Sequence, residues 1–101
     1  MKTFPMFLRM AGREVVIVGG GEQAAQKARL MLKTEAAITL VADDLDPELA
    51  ALVARGRAGH KTDAPTADRL GRAALVFAAS GCPALDACTV AVARAGGALV
   101  N

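Results

Sequence analysis

The stretch VVIVGGGEQAAQKARLML, residues 15–32, restricts what this chain can fold into more than any other segment. Four β-branched residues, Val15, Val16, Ile17 and Val18, run directly into three glycines. An unbroken apolar run with no polar alternation predicts a strand buried on both faces, the habit of parallel sheets, and we place it at Glu14–Val18. From residue 22 the period changes. Ala24, Ala28, Met31 and Leu32 fall on one helical face and Glu22, Gln26, Arg29 and Lys33 on another, which predicts a helix over 22–33. Glu22 at its start and Lys33 at its end also suit the helix dipole.

The rest of the chain continues the alternation. Ile38, Leu40 and Val41 predict a second strand, Ala37–Val41. Asp46-Pro47 is a helix start, with Asp at the N-cap and Pro at the first helical position. Leu49, Leu52 and Val53 give that helix its apolar face, and Gly56 stops it. Residues 57–73 carry the weakest pattern: a short edge strand at Ala58–Lys61, then a helical turn over 66–70. ALVFA, residues 74–78, is a third clear strand. Pro83–Ala95 fits a helix with Leu85, Cys88, Val92 and Ala95 on its apolar face, ended by Gly96-Gly97, and a last strand begins at 98–100. Strands alternating with helices imply right-handed βαβ units. The fold class is α/β: a Rossmann-like parallel sheet of about five strands with helices on both faces. At 101 residues the chain makes one domain, about one mononucleotide-binding half of a doubly wound fold.

Composition excludes several functions. Twelve basic and ten acidic residues are interspersed, net +2, with no cationic run that would favour nucleic acid or an anionic membrane. No segment approaches the ~20 apolar residues of a membrane span, and Pro5 and Arg9 break the apolar start, so it lacks the h-region of a signal peptide. A soluble cytoplasmic protein is expected. Cys82 and Cys88 lack metal-ligand spacing, and the single histidine, His60, is remote in sequence, so no metal site is expected. We expect two buried thiols in a reducing cytosol.

Gly19-Gly20-Gly21-Glu22-Gln23-Ala24 fits G-x-G-x-x-G/A, with Ala24 in the third place. The first glycine permits the tight turn. The second has no Cβ, so a pyrophosphate can approach the backbone. The third position must be small for the helix to pack on the strand. The helix N-terminus then offers unpaired N–H groups to the phosphates. Alone the pattern is weak; after an apolar strand and before an amphipathic helix it points to a dinucleotide. An acidic residue is expected ~20 positions further on. Asp43 and Asp44 stand there, one or two places late, either to hold a ribose hydroxyl or to open the next loop. No Arg or Lys lies between Lys33 and Arg55, and two acids would repel a 2′-phosphate, so NAD is favoured over NADP. Ser80, at the end of the third clear strand, is a cofactor neighbour or a helix cap before Pro83. His60 reads as a surface residue rather than a general acid or base, and the chain shows no nucleophile elbow, Walker A motif or metal-binding helix. These residues describe a cofactor site without a visible catalytic group.

FPMFLRMAGREVVIVGGGEQAAQKARLML, AITLVADDL, ALVFAAS and GGALVN together resemble the N-terminal NAD-binding domain of the siroheme synthase family, the precorrin-2 dehydrogenases that often are sirohydrochlorin ferrochelatases as well. The resemblance covers nearly the whole chain and is weakest over residues 57–72. Its most specific parts are Phe4-Pro5 with Phe7, Gly12-Arg13, the triple glycine and Lys27-Ala28. It implies NAD-dependent oxidation of precorrin-2 to sirohydrochlorin, with hydride passing to the nicotinamide, and iron insertion in the same protein. It further implies that Glu22, Gln23, Asp43 and Asp44 match positions that contact NAD, that the substrate is a tetrapyrrole, and that the full-length protein is a homodimer.

The sequence departs from that family at two places. The family often reads Thr-Asp-Asp where this chain has Ser80-Gly81-Cys82. It also continues past the asparagine matching Asn101 with a short run ending in Asp, the proposed acid/base for dehydrogenation and chelation. That aspartate would lie beyond the last residue here, so no catalytic residue is assigned and the chain reads as part of a longer protein. Two other readings use the same glycines without chemistry: a non-enzymatic nucleotide-sensing module, and a Rossmann fragment used only for interaction.

Overall fold

The computed structural model describes residues 13–63 and 66–100. Phe4, Pro5, Phe7, Gly12 and Asn101, which carry part of the resemblance, lie outside the described residues. The element order is β1 (Glu14–Val18), α1 (Glu22–Met31), β2 (Ala37–Val41), α2 (Pro47–Ala54), β3 (Ala58–Lys61), α3 (Ala67–Gly71), β4 (Leu75–Ala78), α4 (Pro83–Ala95) and β5 (Leu99–Val100). The strands form one parallel sheet in the order β3-β2-β1-β4-β5. β1 is central, and the direction of strand order reverses beside it, between β1 and β4. Such switch points leave a crevice at the carboxyl ends of the strands.

The apolar run of β1 serves two layers at once. Val15 and Ile17 pack with Ala24, Ala25, Ala28 and Met31 of α1 and with Leu49 and Leu52 of α2. Val16 and Val18 pack on the opposite face with Leu70 of α3 and Ala93 of α4. Every side chain of the VVIV run is buried, each stabilising the fold by about 1.5–3 kcal/mol. Helices therefore cover both faces of the sheet, as the continuous run requires.

Local signals set most boundaries. Asp46 caps α2, its carboxylate accepting from the Leu49 N–H at 2.9 Å, with Pro47 in the first turn. Gly56 follows the helix at φ +74°, a conformation that suits glycine. α1 stops at Met31 rather than Lys33, because the Thr34 hydroxyl donates to the Met31 carbonyl at 2.7 Å and accepts from the Ala36 N–H. That turn leads the chain into β2.

α4 sits on the sheet in a different rotation from the one its sequence predicts. The buried residues are Thr89 and Ala93, whereas Leu85 is 48% exposed and Cys88 and Ala95 are exposed, with Val92 half-buried. Cys82 and Cys88 are both exposed thiols, which corrects the expectation of two buried ones. The cause is close helix–helix approach. A Cβ on Gly71 would strike the Gly96 carbonyl, and one on Gly96 would strike the Ala67 carbonyl. At that separation the small side chains turn inward, and the Thr89 hydroxyl is satisfied within the helix by the Leu85 carbonyl at 3.0 Å.

Candidate functional site

Three loops meet at the carboxyl edge of the sheet: residues 19–21 after β1, 42–46 after β2 and 79–82 after β4. The Gly19 N–H donates to the Val41 carbonyl at 2.9 Å, and the Ala79 N–H to the Val18 carbonyl at 2.9 Å. The Asp46 N–H donates to the Gly20 carbonyl at 2.7 Å. The glycine loop is thus tied on one side to the acidic loop and on the other to the loop that bears Ser80.

The three glycines have separate reasons. A side chain on Gly19 would collide with the Ala79 carbonyl, and one on Gly20 with the Asp44 carbonyl. Those two let neighbouring backbones close in. At Gly21, by contrast, a Cβ would meet nothing within 4 Å. Gly21 is the N-cap of α1, extended at φ −107°, and no side chain among the described residues caps that end. Backbone N–H groups of a first helical turn left without a side-chain cap are donors that an anion can use. Ala24 is fully buried on the sheet, so the third small position is used for packing, as its place in the motif requires.

The charged candidates are distributed around this opening. Glu22 and Gln23 are exposed on the first turn. The Glu22 carboxylate lies 3.3 Å from Nη1 of Arg29, and Arg29 reaches on to Glu48 of α2 with bonds of 2.8 and 2.7 Å. The guanidinium between the two glutamates is held more strongly protonated than usual, chiefly by Glu48, and the Glu48 carboxyl lies below the usual carboxylate range through the same hydrogen bonds. Arg29 offsets a negative charge that would otherwise oppose a phosphate at this helix end. Asp43 and Asp44 are exposed in the loop after β2, with Asp44 backbone against Gly20.

Ser80 is held by α4. Its N–H and its hydroxyl both donate to Asp86 Oδ1, at 2.9 and 2.6 Å, and the Cys82 N–H donates to its Oγ at 3.1 Å. The N-cap of α4 is Cys82, so Ser80 braces the loop instead of capping the helix. Asp86, which sequence reasoning did not single out, supplies the acceptor.

β3 changes what surrounds the acidic loop. Its register sets His60 opposite Leu40 and Lys61 opposite Val41. The Ala42 N–H donates to the Lys61 carbonyl at 3.1 Å, and Nε2 of His60 stands 2.7 Å from the Ala42 carbonyl. A histidine and a lysine therefore stand at the end of β2, where the local sequence between Lys33 and Arg55 offers no cation. His60, remote in sequence from these loops, is brought by β3 to the one that follows β2. His60 is nonetheless exposed, as read from the sequence. Among the described residues no cluster of His, Cys, Asp and Glu is arranged to hold a metal ion, and no helix is long and apolar enough to cross a membrane.

The chain matches, over residues 6–101, the family described as "Putative NAD(P)-binding". It is 39% identical over 101 residues to the siroheme synthase of Chromobacterium violaceum, covering 100% of this chain and 22% of that protein. It is 44% identical over 80 residues to siroheme synthase 2 of Aeromonas salmonicida, covering 79% of this chain and 16% of that one. Among solved structures it superposes on SirC, precorrin-2 dehydrogenase, with a TM-score of 0.80 and 28% identity, covering 100% of this chain and 48% of that one. The chain thus spans about a fifth of the curated relatives and about half of the dehydrogenase.

Proposed function

We propose a function from the premise that this chain belongs to the NAD(P)-binding family whose model spans residues 6–101. It is the cofactor-binding domain of a precorrin-2 dehydrogenase, a protein that oxidises precorrin-2 to sirohydrochlorin. The reading rests on the likeness to siroheme synthases and to the SirC dehydrogenase, each of which is longer than this chain. One observation carries the cofactor assignment: Gly19 and Gly20 are closed by neighbouring carbonyls while Gly21 alone faces open space above an uncapped helix end. That is where a pyrophosphate needs the backbone bare.

In this reading the first turn of α1, at Gly21, Glu22, Gln23 and Ala24, binds the pyrophosphate, and Asp43 or Asp44 accepts from the adenosine ribose. The bound nicotinamide supplies the hydride acceptor. The Ser80 loop, fixed by Asp86, borders the cofactor on its β4 side. Two acids after β2 disfavour a 2′-phosphate, so NAD is the cofactor we assign. The proton lost from the substrate goes to a group outside these loops, as the resemblance implies. Tetrapyrrole binding, homodimerisation and a cytoplasmic setting belong to the same proposal through kinship with biosynthetic enzymes.

The test is a thermal melt with NAD. At ligand about ten times its Kd, binding stabilises the folded state by about 1.4 kcal/mol, which for a domain of this size raises Tm by roughly 5–10 °C. The same chain turns over precorrin-2 negligibly. No shift at millimolar NAD would remove the cofactor assignment, and appreciable turnover would remove the reading that the acid/base lies elsewhere.

A further inference from the structure

The acidic loop after β2 is held from both ends but not in its middle. On the glycine side, Asp46 N–H binds the Gly20 carbonyl and the Asp44 carbonyl rests against Gly20. On the β3 side, the Ala42 N–H binds the Lys61 carbonyl at 3.1 Å and the Ala42 carbonyl faces His60 Nε2 at 2.7 Å. Among the described residues no backbone hydrogen bond anchors Asp43 or Asp44 itself. The Ala42 carbonyl belongs to the same peptide plane as the Asp43 N–H, so whatever fixes that carbonyl fixes the direction in which the chain enters Asp43.

A carbonyl oxygen only accepts, so the proton sits on His60 Nε2 and the ring donates. The β3 backbone would pair with β2 whatever residue stood at position 60, since its ladder uses main-chain groups. The side-chain bond to Ala42 is additional to the ladder and reaches past its end, towards the loop.

We propose that His60 is a positioning residue for cofactor binding, holding the Ala42–Asp43 peptide so that the acidic loop meets the adenosine ribose. The inference rests on the proposed role of Asp43 and Asp44. It assigns no contact between His60 and the cofactor.

The experiment compares affinity for NAD with affinity for an NAD analogue lacking the 2′-hydroxyl of the adenosine ribose. Wild type, His60→Ala and His60→Gln are titrated calorimetrically, with a thermal melt of each. Wild type is expected to prefer NAD about tenfold, the worth of one hydrogen bond to a charged group. His60→Ala should lose about five- to tenfold in NAD affinity, with analogue affinity unchanged, so the preference collapses. His60→Gln, which places an amide donor where Nε2 stands, should restore it. A His60→Ala protein that keeps the wild-type preference overturns the positioning role alone. A wild type without any preference, though it binds NAD, overturns the ribose reading of the aspartates and this role with it. A loss of affinity equal for both ligands and not restored by Gln marks a merely structural histidine and also overturns the proposal.

Discussion

The backbone carbonyl of Asp44 occupies the space where Gly20 would carry a side chain. The glycine loop and the acidic loop are therefore packed main chain on main chain, and the middle glycine of the triplet is a joint between loops. Gly21, one residue on, faces open space. Two adjacent glycines should then fail in different ways. Gly20→Ala should lower stability by about 2–4 kcal/mol, since backbone must move to admit the methyl group. Gly21→Val should leave Tm near wild type, because its extended φ suits any residue, while raising the Kd for NAD at least tenfold, about 1.4 kcal/mol. Chemical denaturation and calorimetric titration of both variants separate the two effects. A Gly21→Val chain that binds NAD normally would show that the loop does not cradle phosphate.

Selectivity between NAD and NADP should follow the charge after β2. Asp43 and Asp44 stand there, and Lys61 ends the adjacent strand opposite Val41. The Asp43→Asn/Asp44→Asn double variant should shift the NADP-to-NAD affinity ratio upward by about tenfold or more, since two repulsive charges are removed and one cation remains. Adding Lys61→Ala should take back part of that gain. The gain should shrink as salt is raised, because exposed charges are screened. An unchanged ratio would place the adenosine ribose away from this loop.

The sequence carries much of this site plainly, and the reasons are physical. Four β-branched residues in a row can be satisfied only by burial on two faces, so β1 and its central place are legible. The glycines and the Asp46-Pro47 start encode backbone conformations that few other residues satisfy. α4 is less legible because its 13 residues put small apolar groups on several faces. Which face turns inward depends on the approach of Gly71 to Gly96, a contact between distant segments. AGHK has no strand alternation, and β3 exists through backbone pairing with β2 while its side chains stay largely exposed. His60 and Lys61 reach the site by that pairing, so no window of local sequence reveals them. Ser80 was legible as a loop residue, but its partner Asp86 lies in the next helix, six residues away.

The inward face of α4 has a direct chemical consequence. Cys82 at the N-cap and Cys88 on the outer side are both exposed. Native protein should release two equivalents of thionitrobenzoate from Ellman reagent without denaturant. A helix rotated to bury Leu85, Cys88 and Val92 would protect Cys88, and only one thiol would react until the protein was unfolded.

The brace under the β4 loop should be asymmetric to mutation. Asp86 Oδ1 accepts from both the N–H and the hydroxyl of Ser80. Ser80→Ala removes the hydroxyl donor and the acceptor of the Cys82 N–H, which is exposed and can turn to water, and leaves the Ser80 N–H bonded to Asp86, at a cost of about 0.5–1.5 kcal/mol. Asp86→Ala strands two half-buried donors and should cost about 1–3 kcal/mol. Urea unfolding should rank Asp86→Ala below Ser80→Ala. The reverse order would mean that the hydroxyl, not the carboxylate, organises the loop.

The clamp between α1 and α2 gives the fold a pH dependence of known sign. Arg29 binds Glu48 through two short bonds and holds its carboxyl below the ordinary carboxylate range. A carboxyl depressed on folding contributes stability that is full above its unfolded pKa, about 4.3, and is lost as pH falls through the lower folded value. Arg29 itself, pushed upward, stays charged throughout the working range and adds no slope there. The two side chains are 46% and 43% exposed, so solvent and salt weaken the pair and the effect is small. Glu48→Gln should therefore melt slightly below wild type at pH 7. The gap should close as pH falls below about 4, where the wild-type carboxyl takes up its proton, and also in ~1 M salt, where screening reaches ~3 Å. A gap that widened on acidification would show that the pair opposes folding, contrary to the direction in which Arg29 shifts Glu48.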